Sequence, residues 1–156
     1  MPEQAGVCAV MTQKRKLKVL FLCTGNSCRS QMAEGWARHL KGDCIEAFSA
    51  GVTPIGVSTN AIKVMAEAGV DISGHTSNHV DDLLGIDFDY VISVCDHAKE
   101  LCPIFGGDVK TVHKRFDDPY FAEGTTDEVL TEFRRVRDEI RDFVETLPDG
   151  LESKDE

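Results

Sequence analysis

Cys23 and Arg29 flank the five residues Thr24, Gly25, Asn26, Ser27 and Cys28, directly after an apolar run at 17–22 and directly before Ser30. A loop of this length can curl so that successive backbone N–H groups face inward toward a thiolate and an oxyanion. Gly25 and Asn26 are read as the residues that tolerate the left-handed backbone such a curl requires. A helix starting at the far end of the loop would place its positive pole there and draw a cysteine pKa down toward the ~3.5 to 7.5 range. Cys23 is therefore the candidate nucleophile. Arg29 is the candidate oxyanion clamp, since a guanidinium grips two oxygens at once and stays charged at every relevant pH. Ser30 can donate a hydrogen bond to the thiolate. An isolated cysteine at a strand end is ordinarily a small buried residue, so the catalytic reading rests on the context: strand, glycine turn, then helix. Zinc fits poorly, because Cys23 and Cys28 lack a paired-knuckle spacing and no histidine stands nearby at ligand distance in sequence. No metal and no cofactor are expected.

The elements that must position these residues follow from periodicity. Residues 17–23 read as a buried strand entering a tight loop. Over 30–40 the apolar residues Met32, Ala33, Trp36, Ala37 and Leu40 recur at helical spacing, with Gly42 as the stop. A second strand is predicted at 44–51, and a helix at 58–69 with Ser58, Thr59 or Asn60 as cap and Gly69 as stop. Further strands are predicted at 87–95 and 108–116. The longest helix is predicted at 125–147, with Val129, Phe133, Val136, Ile140, Phe143 and Leu147 on one face and its charged positions in water. Strands alternating with helices imply an α/β three-layer sandwich, a four-stranded parallel sheet with helices on both faces. Ligands of such sheets gather at the carboxyl ends of the strands, where the Cys23 loop lies.

The chain of 156 residues, 42% hydrophobic, suffices for one core. The expected organisation is an N-terminal extension at 1–16, one catalytic domain at 17–147 and an acidic tail at 148–156. Six scattered cysteines, Cys8 and Cys44 among them, do not make a small disulfide scaffold, so reduced thiols and a cytoplasmic location are expected. The apolar residues of the N-terminus precede its basic cluster, the reverse of a secretory signal, and no apolar run is long enough to span a bilayer. A net charge of −10 argues against nucleic acid and anionic membrane as partners. An anionic substrate must be held by local chemistry against that field.

The stretch FLCTGNSCRSQMAEGW resembles the phosphate loop of the arsenate reductases built on the low-molecular-weight protein tyrosine phosphatase fold, specifically the thioredoxin-coupled branch. The resemblance extends over 17–147 and includes FSAG, DISGHTS, VISVCDHAKELCP, RFDDP and RVRDEI in order. It implies a relay. Cys23 attacks arsenate, Cys95 attacks Cys23 with release of arsenite, and Cys102 attacks Cys95, leaving a Cys95–Cys102 disulfide for thioredoxin to reduce. The electron count agrees, because arsenate reduction consumes two electrons and one cysteine cannot supply both. If the segment between Cys95 and Cys102 were helical, their separation along the axis would be about 10 Å. That exceeds the roughly 7 Å between alpha carbons that a disulfide tolerates, so the segment would have to unwind. The alternative reading of both is as buried core thiols. A built-in resolving pair favours thioredoxin over glutaredoxin. A monomer is expected, with phosphate and sulfate competing for the loop because they share arsenate's geometry and charge.

Expulsion of hydroxide or alkoxide needs a proton. By the resemblance Asp118, before Pro119, matches the general acid. Asp117 remains a turn residue or the alternative acid, and adjacent aspartates before a proline ordinarily mark a turn. Two features depart from the reductase pattern. Tyr120 and Phe121 stand where those reductases carry a small residue and resemble the aromatic rim of a phosphotyrosine phosphatase; packing of a loop is the equal alternative. A phosphatase using Cys23, Arg29 and Asp118 is thus the second reading, and a non-catalytic oxyanion binder, for which nucleophile and acid would be surplus, the third. Asn26, Glu34 and Ser49 match ligands of a potassium site found in some reductases, but Asn78 replaces a carboxylate, so potassium binding is expected to be weak or absent. Otherwise Asn26 and Ser49 brace the loop and Glu34 is a helix-surface charge. His75 is the best loop-bracing histidine. Cys28 is read as a structural thiol.

Overall fold

The computed structural model describes residues 16–94 and 109–149. Four parallel strands form one sheet: β1 (Leu17–Cys23), β2 (Ile45–Gly51), β3 (Tyr90–Ser93) and β4 (Lys110–His113), in the order β2-β1-β3-β4. Three helices, α1 (Arg29–Lys41), α2 (Thr59–Glu67) and α3 (Thr126–Glu145), pack on one another, and α1 also lies on β1 and β2. Two short 3₁₀ turns, Val80–Leu83 and Pro119–Phe121, complete the elements among the described residues. None of the helices is long and apolar enough to cross a membrane.

Successive side chains of a strand point to opposite faces. Val19 through Cys23 are nonetheless all buried, as are all four residues of β3, so both faces of the two central strands are covered. Val19 through Cys23 form an uninterrupted apolar run for this reason. Parallel register brings the carboxyl ends together: Cys23 lies opposite Gly51, Leu22 opposite Ser93, and Ser93 opposite His113.

The helix signals were correct to within a residue or two. Ser58 caps α2 by accepting from the Ala61 N–H, and Gly69 ends the turn after it at φ +88°, open to glycine at no steric cost. Thr125 and Glu128 form a reciprocal capping box on α3. The buried face of α3 is Leu130, Phe133, Val136, Ile140 and Val144; Val129 and Phe143 of the expected stripe are only partly buried. Its charged residues are not all a solvated face, since Arg137 donates to the Val64 carbonyl and Arg134 forms a two-point pair with Glu67, tying α3 to α2. β3 is shorter than the predicted 87–95. Cys8, Cys95, Cys102 and the acidic tail beyond 149 lie outside the described residues. Cys44 is buried directly before β2.

Candidate active site

β1 ends at Cys23 and α1 begins at Arg29, so the intervening loop sits at the carboxyl edge of the sheet. Its carbonyls are turned outward one after another. The Thr24 carbonyl accepts from the Thr53 N–H at 2.9 Å, that of Gly25 from the Ile55 N–H at 3.1 Å, and that of Ser27 from the Ser58 N–H at 3.1 Å. The Asn26 carbonyl takes the Ser77 hydroxyl at 2.9 Å and the Gln31 amide at 3.2 Å. Four consecutive carbonyls engaged on the outside leave the loop amides for the inside, the arrangement of an anion nest. α1 adds its positive end without competition, because no side chain caps its first turn and no acidic residue occupies it.

Asn26 is the hub. It is fully buried and holds φ +47°, the one non-glycine in the left-handed region among the described residues. Its N–H points at Cys23 Sγ at 3.2 Å, its Nδ2 donates to Ser30 Oγ at 2.8 Å, and its Oδ1 accepts from the Asn78 N–H at 2.7 Å. Ser30 Oγ in turn lies 2.9 Å from Cys23 Sγ. Because Ser30 accepts from Asn26, its own proton is directed to the sulfur, a geometry suited to a thiolate. Gly25 does not share the left-handed role expected of it. Its φ is not positive, and a β-carbon there would come within 3.3 Å of the Ile55 side chain, so its size rather than its backbone freedom matters. Gly51 is the close-approach glycine that spacing did not single out: a β-carbon would lie 2.5 Å from the Thr24 carbonyl oxygen and 2.9 Å from the Asn26 nitrogen. Only glycine lets β2 end against the loop.

Arg29 and Asp118 come together from positions 89 apart, Nη2 donating to Oδ2 at 3.0 Å, while Nη1 donates to the Phe116 carbonyl at 3.2 Å. The other oxygen of Asp118 accepts from the Tyr120 N–H and starts the turn at Pro119–Phe121. Asp117 faces away, shared by Arg115 and Arg135 at 3.0 Å each, and the hydrogen bonds from Arg135 and then Arg115 hold its carboxyl below the usual range. Asp118, not Asp117, thus lines the cavity over Cys23. Burial pushes the Cys28 thiol up to about 12, so it stays protonated beside Cys23.

The cavity measures about 410 Å³. The loop forms its floor, and Thr53, Ile55, Arg115, Tyr120 and Phe121 its walls. Tyr120 and Phe121 meet edge to face at 5.0 Å and stay exposed, so they form a rim rather than pack into the core. Below the loop, Glu34 is buried rather than a surface charge. It accepts from the Ser49 hydroxyl at 2.5 Å and pairs with Arg38 at 2.7 Å. Asn78 bonds to the Ser49 carbonyl and to Asn26, so the four residues that resemble a potassium site are linked to one another, with Arg38 beside the single carboxylate. No group of histidine, cysteine and acidic residues among the described residues is arranged to hold a metal ion. His75 touches the Gln31 side chain at 3.0 Å and so braces the loop at one remove; burial, above all, lowers its pKa. His113 bonds to buried Ser93 at 2.6 Å. Gln31, Ser77, Thr53 and Ile55 carried no signal in the sequence, because they reach the loop from other elements.

The family model for low molecular weight phosphotyrosine protein phosphatase matches residues 18–156. The arsenate reductase of Halalkalibacterium halodurans is 48% identical over 132 residues, 85% of this chain and 95% of the relative. The arsenate reductase of Bacillus subtilis strain 168 is 47% identical, over 82% of this chain and 95% of that one. Among solved structures, an arsenate reductase in the oxidized state superposes with a TM-score of 0.74 at 35% identity, covering 86% of this chain and 98% of the other. One in the phosphate-binding state gives 0.67 at 34% identity over 90% and 99%.

Proposed function

Because this chain belongs to the low molecular weight phosphotyrosine protein phosphatase family, we propose that its oxyanion loop serves arsenate reduction. The observation that carries the reading is the setting of Cys23 Sγ, which takes the Asn26 N–H and the Ser30 hydroxyl at the floor of a cavity that Arg29 and Asp118 also line. Similarity to arsenate reductases at 47 to 48% identity over 95% of their length favours the reductase over a phosphatase.

In this reading Arg29, the loop amides and the α1 terminus hold the arsenate oxygens, and Cys23 attacks arsenic. One oxygen leaves as water, protonated by Asp118, and a sulfur–arsenic bond forms. Cys95 then attacks Cys23 Sγ; the sulfur–arsenic pair goes to arsenic, which falls from the +5 to the +3 state and leaves as arsenite. Cys102 attacks Cys95 and frees Cys23. Two thiols lose the two electrons that arsenic gains, and a thioredoxin dithiol restores the Cys95–Cys102 pair. The support for Cys95 and Cys102 is their place in the sequence and this electron balance. The protein is read as a cytoplasmic monomer. Replacing Cys95 by Ser tests the relay: arsenate turnover should stop while any aryl phosphate hydrolysis, which needs only Cys23, Arg29 and Asp118, continues.

A second reading, a phosphotyrosine phosphatase, is favoured by one feature. Tyr120 and Phe121 stand exposed at the cavity rim, where an aromatic leaving group would lie.

A further inference from the structure

A bare tetrahedral oxyanion fills only the floor of a cavity of about 410 Å³, a size within the roughly 300 to 1,000 Å³ of sites that take whole organic molecules. Of the four large hydrophobic side chains exposed among the described residues, three, Ile55, Tyr120 and Phe121, line this one cavity. They come from two separate segments, the loop after β2 and the turn after Asp118. Such walls suit a flat ring. The charged lining groups are Arg29, 11% exposed, Asp118, 27% exposed, and Arg115, 55% exposed and so the outermost of the three; the cavity has two guanidinium groups to one carboxylate in a chain of net charge −10. Arg115 is held at this place by Asp117, and Asp117 is shared with Arg135. Nothing in the chemistry at Cys23 uses Arg115.

We infer that Arg115 forms an outer anion subsite, and that the cavity accepts a ring-bearing oxyanion ligand with a second anionic group, such as a carboxylate, at the far end of the ring. The oxyanion sits in the Cys23 loop, the ring between Ile55 and the pair Tyr120 and Phe121, and the carboxylate on the Arg115 guanidinium, whose planar fork matches it. The inference rests on the oxyanion-loop reading of the site but not on which reaction follows.

Equilibrium titration of the full, reduced chain tests it with four probes: inorganic phosphate, benzylphosphonate, para-carboxybenzylphosphonate and para-aminomethylbenzylphosphonate. The carboxylated probe should bind about fivefold tighter than benzylphosphonate, the upper end for a half-exposed ion pair. The aminomethyl probe should bind more weakly than benzylphosphonate. The net charge of the protein alone predicts the opposite order. Arg115→Gln should bring the carboxylated probe level with or below benzylphosphonate. Wild-type protein that binds the carboxylated probe no better than benzylphosphonate, or a preference that survives Arg115→Gln, would overturn the subsite. Failure of inorganic phosphate to bind would instead overturn the oxyanion loop, and the subsite with it.

Discussion

Arg29 Nη2 donates to Asp118 Oδ2 at 3.0 Å, so the proposed oxyanion clamp and the proposed proton donor hold each other. An incoming anion competes with Asp118 for the guanidinium. It also sets negative charge beside the carboxylate, which favours the protonated form needed for donation.

Asp118→Asn should therefore separate binding from chemistry. Turnover should fall by about 100-fold or more, the usual cost of losing a general acid. Phosphate affinity should hold or rise, because the competitor for Arg29 has lost its charge. Steady-state kinetics together with phosphate titration read both.

Asn26→Ala and Asn26→Gly should both destabilise the fold, since each removes the donor to Ser30 and leaves the half-buried Asn78 N–H without its acceptor. They should differ from each other by about 1 kcal/mol in favour of Gly, because only Ala opposes the φ of +47°. Urea unfolding of the pair isolates the backbone contribution.

Cys28 supplies a pH signature. Its folded pKa, about 12, lies above its ordinary value of 9.0, so from pH 9 upward the unfolded chain gives up this proton before the folded one does. The folded state binds more protons there, and stability falls as pH rises. Denaturant unfolding between pH 8 and 10.5 should show a shallower decline for Cys28→Ser than for the parent chain. Iodoacetamide at pH 8 should label Cys23 and spare Cys28, with phosphate protecting Cys23.

Gly51→Ala should loosen the loop from outside it. A β-carbon 2.5 Å from the Thr24 carbonyl oxygen forces the backbone to move, at about 1 to 3 kcal/mol by analogy with overpacked cores. Phosphate affinity should drop together with the thermal midpoint, measured by calorimetry with and without phosphate.

The Cys23 loop and its flanking strand and helix were legible because strand, turn and helix signals are local and stand in one short stretch. Its supports were not. Ser77, Thr53 and Ile55 meet the loop through the parallel register of β1 with β2 and the chain that follows it, and no local pattern encodes such a meeting; Gln31 reaches back to the Asn26 carbonyl from the first turn of α1. Gly25 and Asn26 both permit a left-handed turn, and only the hydrogen bonds of Asn26 decide which of them takes it. Likewise, two adjacent aspartates are equivalent as sequence. Arg115 and Arg135 draw Asp117 outward, while Arg29 and the Tyr120 N–H hold Asp118 inward. On α3, the buried face is fixed by where α1 and α2 pack, which brings Leu130 and Val144 inside and leaves Val129 at the edge.

The proposed three-cysteine relay opens at Cys23. Arsenate-dependent NADPH oxidation, with thioredoxin and thioredoxin reductase supplied, tests it most directly. Turnover should require thioredoxin and disappear in Cys95→Ser and in Cys102→Ser. Undiminished turnover by either variant, or no turnover by the parent chain while it hydrolyses an aryl phosphate, would contradict it.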